Sequence, residues 1–207
     1  GPVLIDIPDD IQRMELTDEQ IDHCWVRLNE NSFSTQEKIS KLNLLPVFDE
    51  IKISNRPLAI IGFGADNYIN ELSKIFCELN IPIIPTWAVA DRFSADDNNV
   101  VGTAGTHGNR YSNYVIQSAD LIISIGCRLD SHLIGSPPSN FAPHAKKIII
   151  DIDLNELKKF EIQDVKNTLL IHSSTSNFIQ EFRKGSKCLE IEALKNKHIK
   201  WIYLIKI

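Results

Sequence analysis

Apolar positions along this chain fall into short unbroken runs separated by stretches whose apolar residues recur every three or four positions. The first run, Pro-Val-Leu-Ile-Asp-Ile-Pro over residues 2–8, reads as a buried strand, and the polar, acidic stretch 9–34 after it reads as a connector with at most one short helix. From Thr35 the period becomes helical, with Ile39, Leu42, Leu45 and Phe48 on one face, Thr35 as a plausible N-cap and Pro46 as a bend or interruption. Residues 58–61, bounded by Pro57 and Gly62, are too few for a helix and end in two β-branched isoleucines, so a buried strand is expected. The same reasoning predicts strands over 81–85, 121–125, 147–152 and 168–171. Between them Ile69, Leu72, Ile75, Phe76 and Leu79 predict a helix over 66–79, and further helices are expected over 111–119, 154–160 and 175–182. Two prolines, Pro82 and Pro85, mark the strand 81–85 as short, with neither missing N–H facing a ladder partner.

Apolar strands alternating with helices require parallel pairing through crossovers, and crossovers are almost always right-handed. The fold class is therefore α/β, a Rossmann-like doubly wound parallel sheet with a ligand crevice along the carboxyl ends of its strands. Residues 35–186 would form this nucleotide-binding-type domain. Residues 1–34 would supply the end strand of a preceding domain and a linker, and residues 187–207 a linker helix bearing Leu194, Ile199, Trp201, Ile202 and Ile205. Both ends read as internal to a longer chain.

Composition narrows the function classes. Lys+Arg 22 against Asp+Glu 27 gives a net charge of -5 with no basic cluster, which argues against nucleic-acid partners. No apolar run approaches the roughly 20 residues that span a bilayer, so a soluble protein without a membrane partner is expected. Cys24, Cys77, Cys127 and Cys188 are widely spaced, which fits free thiols in a reducing cytoplasm better than a disulfide framework or a zinc site. No metal site is expected.

Candidate chemistry sits where the apolar runs end. Gly62-Phe63-Gly64 follows a strand and opens a helix, so its backbone N–H groups can receive a phosphate, or the glycines can simply permit a tight turn. The full G-x-G-x-x-G pattern fails at Asn67, and Pro85 and Thr86 stand where a ribose-binding acid would be expected. His107, between Thr106 and Gly108 at the start of a predicted helix, either donates to a ligand as a neutral imidazole or caps its own loop. Gly126-Cys127-Arg128-Leu129-Asp130 leaves the most apolar strand, and its Arg and Asp either pair with each other or meet a polar ligand, the arginine suiting phosphate. Asp151 and Asp153 flank Ile152 and point to one side of a strand end; a ribose or adenine contact is open to them, and Asp153 is read as an N-cap. No residue is assigned a catalytic role.

In order and spacing these segments resemble the central domain of thiamine-diphosphate-dependent enzymes of the acetolactate synthase type, whose fold is a DHS-like NAD/FAD-binding one. The likeness rests on Gly62-Phe-Gly, Thr106-His-Gly, Gly126-Cys-Arg-Leu-Asp, and Phe141-Ala-Pro-His-Ala-Lys before Asp151-Ile-Asp. Residues 1–8 are similar to the closing strand of the family's pyrimidine-binding domain, and the region of Trp201 is similar to the linker toward its diphosphate-binding domain. By position, the resemblance implies nucleotide contacts from Gly62, Phe63 and Gly64, from Thr86, Trp87 and Ala88, from Thr106, His107 and Gly108, from Gly126, Arg128 and Asp130, and from Asp151 and Ile152. It leaves open whether FAD, ADP or nothing occupies the crevice, because His132 stands where flavin-containing members carry another arginine, and His172-Ser173 where they carry Gly-Asp.

For the full-length enzyme the resemblance implies thiamine diphosphate and Mg2+, a small 2-oxo acid substrate, and a cytoplasmic homodimer or homotetramer. The activating glutamate and the Gly-Asp-Gly motif that hold the thiamine cofactor are not among these 207 residues, so the chain alone is expected to be inactive. A spacer or assembly module, or a stand-alone nucleotide-binding protein, is the alternative.

Overall fold

The computed structural model describes residues 4–6, 12–23, 42–94, 97–162 and 165–205. The chain divides into two units, Gly1–Ile39 and Ser40–Ile207. In the first, a helix over 18–23 starts at a reciprocal cap: Thr17 Oγ1 accepts from the Gln20 N–H at 3.3 Å, and Gln20 Oε1 accepts from the Thr17 N–H at 2.9 Å. The strand expected over 2–8 is described only at 4–6, which lie outside any strand with Leu4 and Ile5 exposed. Apolar character alone therefore leaves this segment without a ladder partner among the described residues. The Thr35 cap falls outside the described residues.

The second unit opens with α1 (Leu45–Ile53), which has Pro46 in its first turn. The proline thus starts this helix, where its missing N–H costs no bond, and does not bend a longer one. There follow β1 (Pro57–Ile61), α2 (Ile69–Glu78), β2 (Ile83–Pro85), α3 (Arg110–Ser118), β3 (Leu121–Ile125), α4 (Ser131–Ile134), β4 (Lys146–Asp151), α5 (Leu154–Ile162), β5 (Thr168–His172), α6 (Thr175–Gly185) and α7 (Ile191–Ile205). The turns Phe63–Tyr68 and Trp87–Arg92, after β1 and β2, are 3-10 helices, so the helix expected from Asp66 becomes regular only at Ile69.

All pairings are parallel and the strand order is β2-β1-β3-β4-β5, so the α/β doubly wound expectation holds, and each of the five strands expected from residue 58 onward is present. The β1–β3 pair runs from Pro57 beside Leu121 to Ile61 beside Ile125. Edge strand β2 accommodates its prolines because Pro82 takes part through its carbonyl, which accepts from the Ala59 N–H at 2.9 Å. Its outer side is covered by the segment around Val100, to which Ile83 is bridged.

Every residue of β1 and β3 is buried, because helices cover both faces. Alternate residues belong to two cores. Ala59, Ile61, Ile123 and Ile125 pack with Phe48, Phe76, Phe178 and Phe182 under α1, α2 and α6. Leu58, Ile60 and Ile122 pack with Val115, Ile116, Phe160 and Trp201 under α3, α5 and α7. Each fully buried aliphatic or aromatic side chain contributes about 1.5–3 kcal/mol of transfer free energy.

Helix α7 lies along the edge where the strands begin. Trp201 Nε1 donates to the Pro57 carbonyl at 3.0 Å, and buried His198 bonds through Nδ1 to the Leu79 carbonyl at 2.8 Å. Of the apolar residues expected on this helix, Leu194 and Trp201 are buried and Ile205 packs half-buried against the core, whereas Ile199 is exposed and His198 lies in the core. Burial lowers the His198 pKa, partly offset by backbone carbonyls of Leu79 and Ser54. At the same edge buried Lys147 donates through Nζ to the carbonyls of Ala145 and Lys166, and burial lowers its pKa as well.

Candidate functional site

Strand β1 leads to β2 on one side and the chain then returns to β3 on the other, so the topological switch point lies between β1 and β3. Ligands of open α/β sheets bind outside the strand ends at such a point. Here the carboxyl ends surround a crevice of about 850 Å³.

Its floor is two glycine turns in backbone contact. The Gly62 N–H donates to the Ile125 carbonyl at 3.0 Å, the Gly64 N–H to the Gly126 carbonyl at 2.9 Å, and the Gly126 N–H to the Ile150 carbonyl at 3.0 Å. The N–H groups of Gly62 and Gly64 are thereby committed to backbone carbonyls, and of the two readings left open for these glycines the geometry supports the tight turn. A Cβ on Gly62 would lie 2.3 Å from the Gly126 carbonyl oxygen, and one on Gly126, whose φ is +57°, 2.6 Å from the Gly64 carbonyl carbon. Only glycine allows both the left-handed turn and this approach.

The walls are side chains carried on the following turns. Phe63, Trp87 and Ile152 are 67%, 79% and 66% exposed, apolar groups held at the rim with little covering them. Thr86 and Ala88 line the crevice beside Trp87, and Thr106 and His107 line it from the turn before α3. His107 is exposed and sits ahead of the helix, which begins at Arg110, so it lies in a free-standing turn instead of the helix's first turn. Gly108 does not line the crevice: its Cα position packs against the Ala104 backbone, where an added Cβ would meet atoms at 2.4 Å.

Asp130 and Arg128 do not form the internal ion pair considered from the sequence. Asp130 Oδ1 accepts from the N–H groups of His132 and Leu133 at 3.0 and 3.1 Å and caps α4, a helix absent from the predicted elements. The Arg128 guanidinium is exposed and makes no hydrogen bond or ion pair with the described residues, while the Arg128 carbonyl accepts from Lys159 Nζ. Lys159 is in turn paired with Glu156. At the end of β4, Asp151 Oδ1 accepts from the Asp153 N–H at 2.9 Å, and Asp153 Oδ1 from the Asn155 N–H at 2.8 Å, so Asp153 is the N-cap expected for α5. Asp151 lines the crevice, and its second carboxylate oxygen makes no hydrogen bond with the described residues.

Cys127 lies beneath the floor. Burial pushes its thiol up to about 12, partly offset by the Leu129 backbone and the Ser124 hydroxyl and reinforced by the carboxylates of Asp130 and Asp151. A thiol so protected is no nucleophile near neutral pH. No three His, Cys, Asp or Glu side chains are grouped to hold a metal ion among the described residues.

Comparison of the sequence with known proteins gives the family. Residues 46–170 match the family described as thiamine pyrophosphate enzyme, central domain. The chain belongs to this family. It is 34% identical over 165 residues to the probable acetolactate synthase large subunit of Methanococcus aeolicus, covering 77% of this chain and 26% of that protein. It is 30% identical over 183 residues to the acetolactate synthase large subunit of Lactococcus lactis, covering 87% and 31%, and 30% identical over 160 residues to acetolactate synthase 2, chloroplastic, of Brassica napus, covering 77% and 25%. The chain thus spans about a quarter to a third of the length of these curated relatives.

As a thiamine pyrophosphate enzyme central domain, the chain brings to one crevice thirteen of the fourteen residues carried over by position, Gly108 being the exception. Thr103, Ala104, Leu133 and Glu156 also line it and were not singled out. Thr103 and Ala104 stand directly before the Gly105-Thr106-His107 turn, which is the signal that could have found them. Glu156 follows the Asp153 cap by three residues, one helical turn, and so shares its side of α5.

Proposed function

We propose that this chain is the adenine-nucleotide-binding middle of an acetolactate-synthase-like enzyme, one that decarboxylates a 2-oxo acid and passes the fragment to an acceptor. The observation that carries the reading is the pair of uncommitted groups at the switch point: a guanidinium suited to a diphosphate and a carboxylate oxygen suited to ribose hydroxyls, between apolar rims at Phe63, Trp87 and Ile152. The Asp130 and Asp153 carboxylates beside them serve as helix caps, whereas these two groups remain available to a ligand. FAD and ADP both present a diphosphate joined to an adenosine, and both fit this chemistry. Thiamine diphosphate, held with Mg2+ by residues outside this chain, supplies carbanion stabilisation for the decarboxylation. This domain's own part is to bind the nucleotide and space the catalytic parts within a cytoplasmic homodimer or homotetramer.

Titration of the chain with FAD, ADP and AMP tests the reading. A ligand that binds only the folded state raises stability by about 2.7 kcal/mol at one hundred times its Kd. We expect FAD or ADP to raise the melting temperature and AMP, with one phosphate fewer than ADP, to do so less. A chain that none of the three stabilises would support the spacer reading, which the commitment of the Gly62 and Gly64 N–H groups to backbone favours.

A further inference from the structure

The two aromatic side chains at the rim, Phe63 and Trp87, stand on separate 3-10 turns after β1 and β2, and neither is buried against anything that would fix it. The first turn is well anchored. Its Gly64 N–H is bonded to Gly126, and its Gly64 carbonyl accepts from Thr175 Oγ1 at the start of α6 at 3.0 Å. The second turn is tied at its start, where the Thr86 N–H donates to the Ile61 carbonyl at 2.9 Å, and beneath by buried Val89. At its far end it is joined to the first by an ion pair. Arg92 Nε lies 3.1 Å from Asp66 Oδ1, and Arg92 Nη2 donates to Asp66 Oδ2 at 3.3 Å. Among the described residues this is the only side-chain hydrogen bond between the turn Trp87–Arg92 and the rest of the fold.

We infer that the Asp66–Arg92 pair is a strut that sets the position of Trp87 relative to Phe63, and so tunes the crevice for its ligand without touching it. Neither residue lines the crevice. Asp66 stands three residues after Phe63, one turn on in a 3-10 helix, so the two side chains share one side of that turn. Arg92 closes the turn that Trp87 opens. The two side chains are 20% and 56% exposed, and a pair that exposed contributes little to global stability. The pair is held by one hydrogen bond, Nη2 to Oδ2, with Nε close to a buried Oδ1 that has no hydrogen-bond partner of its own, so the guanidinium is the charge this carboxylate faces. The neighbouring Asp91 is 3.9 Å from Arg92 Nε but on the same turn, so it cannot join the two.

The consequence for ligand affinity rests on the nucleotide reading above; the consequence for Trp87 does not, and the experiment separates them. The full chain is labelled with 5-fluorotryptophan, the Trp87 resonance is assigned with Trp87→Phe, and 19F spectra are compared for the wild type, Arg92→Met, Asp66→Asn and Arg92→Lys. We expect the Trp87 resonance to shift or broaden in Arg92→Met and Asp66→Asn and to return part-way in Arg92→Lys. The buried Trp201 resonance should stay in place, reporting an intact fold. A Trp87 resonance unchanged in both Arg92→Met and Asp66→Asn overturns the strut. The same samples are then titrated with FAD and ADP, for which Arg92→Met should lose about tenfold in affinity, the order of one weakened base–aromatic stack. Equal affinity in wild type and Arg92→Met overturns the tuning role. Absence of binding in the wild type defeats the nucleotide reading, with the 19F comparison still deciding the strut.

Discussion

Replacing Gly62 by alanine probes the backbone floor of the crevice directly. Gly62 has φ −109° and ψ −178°, an extended conformation open to any residue, so the cost of a side chain there is steric and not torsional. The added Cβ would stand 2.3 Å from the Gly126 carbonyl oxygen, 2.6 Å from Cys127 Cα and 2.7 Å from Cys127 Cβ, where ordinary contacts are 3.4–4 Å. Relief requires the β1 and β3 turns to part by about 1 Å, which stretches the Gly64–Gly126 and Gly62–Ile125 hydrogen bonds together. Overpacking costs about 1–3 kcal/mol and each weakened hydrogen bond about 0.5–1.5 kcal/mol, so we expect roughly 3–5 kcal/mol. For a domain of this size that is a fall in Tm of roughly 6–20 °C. Gly64→Ala, whose nearest contact would be 2.9 Å, should cost only about 1–2 kcal/mol. Urea denaturation of both variants gives the comparison. A Gly62→Ala chain within about 1 kcal/mol of wild type, or no less stable than Gly64→Ala, would refute the account of the floor.

Three further outcomes follow from the site and the fold. Arg128→Ala should leave Tm unchanged, because the guanidinium has no partner among the described residues, and should weaken ADP or FAD binding about 10–100-fold by calorimetry, the worth of a charge-assisted hydrogen bond. Iodoacetamide at pH 8 should modify exposed Cys77 and spare Cys127 until denaturant is added, as read by peptide mass spectrometry; rapid native labelling of Cys127 would contradict its burial and raised pKa. Because the folded His198 pKa lies below its ordinary value of about 6.5, the unfolded chain binds the extra proton first, and stability falls as pH drops from about 6.5 toward the folded value. Tm measured from pH 7.5 to 5 should therefore fall less steeply in His198→Gln than in wild type.

The strands were legible where burial on both faces leaves no ambiguity: the run 121–125 is β3 to the residue, and 58–61 lacks only Pro57. Helix ends were less so, since Pro46 supports either a kink or a start, and only the non-helical residues 42–44 ahead of Leu45 decide. Helix α4 was hidden because four residues show no period, and its capping Asp130 invites pairing with Arg128 instead. His198 could have been found, since Leu194, His198 and Trp201 are spaced by four and three on one face of α7. The motifs located the crevice because glycine turns at strand ends mark it. They could not show that its N–H groups are spent, since Gly64 and Gly126 meet only once β1 and β3 lie side by side.

The interlocked glycine floor also divides mutational risk within the crevice. What holds the two turns together is main chain, while what faces the ligand space is side chain carried on the turns beyond. Exchanging Phe63, Trp87, His132 or Ile152 therefore alters the lining without loosening the scaffold, whereas the glycines tolerate almost nothing. A lineage could exchange one occupant for another, or lose its occupant altogether, by drift at the rim alone, with the architecture inherited intact.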